Sequence, residues 1–155
     1  MTDTHLGLAI ALAASLFANV AAADCNGVAT ACKMPKGTYQ IVLPPDATNA
    51  VPVIMLLHGY GGEGLATSRN KMVNLMLGRG YAVIAPDGQV RDDGAGRSWD
   101  FHPDRPAPRD ETAFLIAVAD DAAAKYGLKR DEMLLAGFSI GGSMTSYRLR
   151  QACSL

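Results

Sequence analysis

The chain has 155 residues, a formal net charge of −1 and 49% apolar residues. That length suits one domain or part of one, and the apolar content excludes a disordered chain. The near-neutral balance gives no basis for nucleic acid or an anionic membrane as partner.

The first stretch, HLGLAIALAASLFANV, is apolar and rich in Ala and Leu, and AAA then precedes Asp24. An apolar core followed by small residues reads as a signal peptide over residues 1–23, cut after Ala23, and so as a secreted or periplasmic protein. The leading MTDTH carries Asp3 and neither Lys nor Arg, which departs from the usual pattern. The alternative, an uncleaved anchor, offers roughly 15 apolar residues, short for a span. No stable membrane partner is expected. Cys25 and Cys32 lie just past the cut. In an oxidising compartment they would close a small local disulfide; otherwise they are two free thiols. No His or further Cys pair nearby favours a zinc site, and Cys153 is left over.

Beyond the cysteines, Thr38 to Leu43 is a β-rich stretch that stops at Pro44 and Pro45. VPVIMLLHG is a continuous apolar run, suited to a strand buried on both faces. YGGEG is a glycine-rich loop, and a helix is predicted from about Leu65 to Leu77 with Leu65, Met72, Leu75 and Met76 as its stripe. YAVIAPD is the next buried strand. Residues 87–109 form a long irregular segment, of the kind that usually carries function. Within it the charges of RDDGAGR read as a solvated loop, and Asp87 as a residue that fixes a loop. Asp110 caps a helix to about Tyr126, with Leu115, Val118, Ala119, Ala122 and Tyr126 inward and Gly127 at its end. EMLLAGFS reads as a third buried strand, and a further helix starts at Ile140. This alternation predicts a parallel sheet with helices on its faces, and a ligand site at the carboxyl ends of the strands. His58, Asp87 and Ser139 fall at such ends.

Gly137-Phe138-Ser139-Ile140-Gly141 has G-x-S-x-G spacing between a strand and a helix. That context forces a serine onto a sharp turn, lifts its Oγ above the sheet and aims the Ile140 N–H at the same point. Gly137 and Gly141 let strand and helix approach closely. An ordinary helix N-cap is the plainer reading of Ser139. LLHGYGG ends an earlier strand and offers a second amide, that of Tyr60, with Gly61 as a further donor; Gly59, Gly61 and Gly62 let the chain turn.

With GTYQIVLPP, VPVIMLLHGYGG, YAVIAPDG, GRSWDF and GFSIGGSMTSYRL, residues 25–149 resemble the secreted polyhydroxybutyrate depolymerase and feruloyl-esterase-like group of α/β-hydrolase serine esterases. The resemblance implies an α/β-hydrolase fold over residues 24–155, a mostly parallel sheet with helices on both faces, truncated after the nucleophile elbow. It implies hydrolysis of carboxylic esters through an acyl-enzyme on Ser139, an oxyanion hole of Tyr60 and Ile140, and no metal or organic cofactor. Candidate substrates are polyesters, feruloylated polysaccharides and small acyl esters. His58 is structural in that family rather than a base. Trp99, in GRSWDFHPD, is a candidate wall of the substrate pocket, with a core position as the alternative.

Serine needs a histidine base and an orienting carboxylate, and in this fold they follow the serine. Residues 140–155 contain no Asp, Glu or His. Three explanations stand: the chain is a fragment of a longer esterase; His102 serves as an unusual base; or the protein binds ligand without turnover. An acyltransferase on the same fold is a rival to hydrolysis, and a non-catalytic exported binding protein a rival to catalysis.

Overall fold

The computed structural model describes residues 25–27, 30–48, 50–102 and 107–153. The segment expected to be a signal peptide, residues 1–23, lies outside the described residues. In chain order the elements are β1 (Cys32–Met34), β2 (Gly37–Val42), β3 (Val51–Leu57), α1 (Gly64–Ser68), α2 (Lys71–Leu77), β4 (Ala82–Pro86), β5 (Gln89–Val90), β6 (Arg97–Ser98), α3 (Glu111–Tyr126), β7 (Leu128–Gly137) and α4 (Ile140–Cys153).

Five strands form one sheet in the order β1-β2-β4-β3-β7. The inner pairings β3–β4 and β3–β7 are parallel, whereas β1–β2 and β2–β4 are antiparallel, so the sheet is mixed. The chain turns back on itself at Pro35-Lys36, which makes β1 and β2 a hairpin at one edge. β4 is buried along its whole length, and β3 along most of its length, as their uninterrupted apolar runs require. Each fully buried Val, Ile or Leu there contributes about 1.5–3 kcal/mol.

The faces separate by alternation. Val53, Met55 and Leu57 of β3 and Ile84 of β4 pack in one core with Phe114, Leu115, Val118 and Ala122 of α3 and Met144 of α4. Leu56 and Val83 turn to the opposite face and meet Val73 of α2. Helices therefore cover both faces. Asp110 caps α3 by accepting a hydrogen bond from Ala113 N–H at 3.0 Å, and Gly127 closes it in the left-handed conformation, φ 62°. Each of the stripe residues expected on α3 from Leu115 to Ala122 is buried.

Three elements differ from the sequence expectation. The helix predicted over 65–77 is two helices, because Asn70 caps a new start by accepting from Met72 N–H at 2.9 Å. The new start turns the stripe: Val73 is buried, with Met76 and Leu77 beside it, while Met72 and Leu75 are exposed. Residues 87–109 are not wholly irregular, since β5 and β6 pair as a short antiparallel hairpin. And β7 is the outer strand of the sheet rather than a buried one, with Leu134 57% exposed.

The amino-terminal segment is tied down at the β2 edge. Cys25 and Cys32 are joined in a disulfide, with Cα atoms 5.3 Å apart. Gly27 N–H donates to Ile41 O, and Leu43 N–H to Asn26 Oδ1. Tyr39 is buried and donates to Asp121 Oδ2 at 2.7 Å; burial, then that carboxylate, push its pKa far above the ordinary tyrosine value.

Candidate active site

β7 ends at Gly137, but Phe138 N–H still donates to Leu57 O at 3.0 Å, holding the chain against β3 for one residue more. Ser139 then turns through φ 53°, and Ile140 opens α4. An ordinary N-cap has extended backbone, so the left-handed Ser139 is a different object: a strained corner with its residue exposed. The corner closes because Gly137 and Gly141 lack side chains. A Cβ on Gly137 would overlap the Gly141 carbonyl, and one on Gly141 would lie 2.6 Å from His58 O. Gly141 N–H returns to Phe138 O at 2.9 Å.

The His58–Gly62 loop runs alongside. Gly59 packs against Phe138, whose ring a Cβ at Gly59 would approach to 2.9 Å. Tyr60 and Ile140 line one cleft of about 440 Å³, together with Gln89, Ser98, Trp99 and His102. Neither the Tyr60 nor the Ile140 amide has an acceptor among the described residues. The amide of Gly61, a further candidate donor, is already committed: it donates to Arg97 O at 2.8 Å. Gly62 N–H is likewise used, donating to Gly59 O.

His58 is buried, with both ring nitrogens engaged. Nδ1–H donates to Gly59 O at 2.8 Å, and Nε2 accepts from Gly88 N–H at 2.9 Å. Burial holds its pKa below the ordinary 6.5, outweighing the Gly59 carbonyl and Asp87, which favour the charged form. A neutral ring spent on two backbone groups fixes the loop and is not free to take a proton. Trp99 is 3% exposed, donates from Nε1 to His58 O at 2.9 Å and stands 4.9 Å from the imidazole. It is a core brace that also shows one edge to the cleft. His102 shares the cleft, stacked on Phe101, with no hydrogen bond to Ser139 among the described residues. Asp87 accepts from Thr38 Oγ1 at 2.6 Å and from Gly64 N–H at 2.8 Å, so it fixes the segment after the loop.

A model of the esterase PHB depolymerase family matches residues 37–153, the greater part of the chain and all of these features. The chain belongs to that family. Among solved structures it is similar to the S-formylglutathione hydrolase FrmB of Staphylococcus aureus, at 19% identity and a TM-score of 0.60, covering 79% of this chain and 51% of that one. It is similar to native sOPH at 26% identity and TM-score 0.55, covering 73% and 43%. It is also similar to a thermostable esterase from Pseudomonas putida ECU1011, at 22% and 0.53, covering 76% and 35%. The shared architecture is the α/β-hydrolase fold, and this chain spans about half or less of the length of each. Comparison with curated proteins gives no match.

Two features of this family member were not legible in its sequence. Arg109 and Glu111 form a buried ion pair at 2.7 Å that lines a second cavity of about 300 Å³. Arg109 also donates to Lys36 O and Asp87 O, joining the β1–β2 turn to the end of β4. Burial raises the Glu111 pKa, opposed first by Arg109, and lowers that of Arg109. The second is Arg97, which donates to Gly88 O at 3.0 Å and stands 3.5 Å from Asp87 Oδ1. Charged residues in a Gly- and Asp-rich stretch carry no local sign that they point inward. Among the described residues, no group of three or more His, Cys, Asp or Glu is disposed to hold a metal ion.

Proposed function

We propose that the protein is a serine esterase that hydrolyses carboxylic esters, exported from the cytoplasm, with Ser139 as nucleophile. The observation that carries the reading is a serine held exposed at φ 53° immediately before Ile140, which lines one cleft with Tyr60, the amides of both residues lacking an acceptor among the described residues. Family membership supports the ester substrate.

Ser139 Oγ attacks the ester carbonyl carbon while a histidine takes the hydroxyl proton. The carbonyl oxygen becomes an oxyanion in reach of the two amides, each such donor being worth about 2.7–4 kcal/mol in the transition state. The C–O bond breaks, the alcohol leaves with the proton, and an acyl-serine remains. Water attacks it by the same route and releases the acid. His58 is not the base, since its ring is buried and spent on Gly59 and Gly88. In this fold the histidine and its carboxylate follow the serine, and residues 140–155 contain neither. Polyesters, feruloylated polysaccharides and small acyl esters are the candidate substrates for the cleft that Tyr60 shares with Gln89, Ser98 and His102.

The test is steady-state hydrolysis of p-nitrophenyl acetate by the full-length protein and its Ser139→Ala variant. The variant is expected to lose at least about 10³-fold in kcat. Undiminished turnover in the variant refutes the assignment. Preferential transfer of the acyl group to an added alcohol would identify an acyltransferase instead.

A further inference from the structure

The Gly61 amide cannot serve the oxyanion because the β5–β6 hairpin already holds it, and that contact points to what the hairpin is for. We propose that this hairpin positions the oxyanion loop, with Arg97 as a positioning residue that acts through Gly61; the inference rests on the esterase reading above.

Arg97 reaches the loop in two ways. Its carbonyl accepts from Gly61 N–H at 2.8 Å. Its guanidinium donates to Gly88 O and pairs with Asp87, and Asp87 in turn holds Gly64 N–H. The loop is therefore pinned at Gly61 and at Gly64 by groups that Arg97 links. A third pin is His58, which ties Gly59 O to Gly88 N–H, at the root of the same hairpin. Between these pins lies Tyr60, whose amide alone in the turn from Tyr60 to Gly62 lacks an acceptor among the described residues.

Two further contacts hold the hairpin tip against the loop. Gly96, at φ 85°, sits so close to the Gly61 carbonyl that a Cβ would overlap it. The Arg91 guanidinium lies over the Tyr60 ring, 4.0 Å from its centroid. A displacement of about 1 Å in such a loop takes a donor out of hydrogen-bond range of a developing oxyanion. Arg97, which does not itself line the cleft, thus acts on the reaction through the loop.

The test uses the full-length protein with Gly96→Ala, Arg97→Met and Arg97→Lys. On p-nitrophenyl acetate, Gly96→Ala and Arg97→Met are expected to lower kcat per folded molecule about 10- to 100-fold, with KM within about threefold of the parent. Arg97→Lys, which keeps a donor for Gly88 O, recovers part of the loss. The Arg97 side chain is 32% exposed, so its variants fold even where Gly96→Ala does not. Amide hydrogen exchange across residues 59–64 reads the hairpin's hold independently of turnover, and it is expected to quicken at Gly61 in Gly96→Ala and Arg97→Met. Unchanged exchange, or kcat within threefold of the parent in Arg97→Met, overturns the proposal. Turnover that survives Ser139→Ala instead removes the esterase reading and leaves the exchange result to stand or fall by itself.

Discussion

A side chain at φ 53° strains the backbone by about 1–2 kcal/mol, and Ser139 carries that strain on an exposed corner where no packing need explains it. Glycine adopts the same angle freely. Ser139→Gly is therefore expected to raise the stability of the full-length protein by about 1 kcal/mol, or about 2–4 °C in Tm, while abolishing turnover; Ser139→Ala brings no such gain. Thermal melts of the three proteins check this, and equal melting of Ser139→Gly and the parent counts against a strained corner. His58 sets a pH dependence. Its folded pKa lies below 6.5 while the unfolded imidazole titrates near that value, so the unfolded state binds more protons below about pH 6.5. Stability is full above that pH and falls as the solution is acidified. Urea unfolding at pH 7.5 and 5.5 should show the loss, and His58→Gln should reduce it; an unchanged difference in the variant contradicts the assignment. The sharp turn at Ser139 was readable because the signal is local: five residues between a strand and a helix specify it. The burial of Trp99 was not, because a polar loop of sequence gives no sign of which side chain folds under it.

At the scale of elements, the buried Arg109–Glu111 pair joins the start of α3 to the end of β4 and the β1–β2 turn. Removing one member leaves an unpaired buried charge. Arg109→Met is expected to cost about 3–5 kcal/mol, and the double variant Arg109→Met with Glu111→Leu to recover most of it. Denaturant unfolding of both variants measures the difference; equal losses would show that the charge pairing is not what matters. The α3 helix was legible to the residue, since an Asp cap, a stripe and a Gly stop agree. The break between α1 and α2 was not, because Asn70 is a cap signal inside what reads as one apolar period. Nor was the β5–β6 hairpin. Its two-residue strands are too short for alternation to register, and its arginines and aspartates look like solvated charge. Yet Arg97 turns inward to Asp87 and Gly88.

For the molecule as a whole, β7 is the last strand of the sheet among the described residues, ten residues long. Leu134 and, just beyond it, Phe138 stand 57% and 75% exposed. An open edge with exposed apolar side chains is a template for association. Residues 24–155 expressed alone are expected to aggregate and to hydrolyse p-nitrophenyl acetate at no more than a background rate; light scattering and an esterase assay check both, and a monodisperse, active preparation would contradict them. Strand and helix alternation made the α/β class readable from sequence, because buried parallel strands are uninterrupted apolar runs. The antiparallel β2–β4 pairing was not readable, since the partner of an edge strand is chosen by the whole sheet. What the sheet delivers to its carboxyl end is the exposed Ser139 corner, with Ile140 next in the chain and Tyr60 on the same cleft as Ile140. The most direct test is mass spectrometry of the full-length protein after treatment with a fluorophosphonate. The account predicts one covalent adduct, on the peptide containing Ser139, blocked in Ser139→Ala. An active esterase with that peptide unmodified, or with its adduct on another serine, would contradict it.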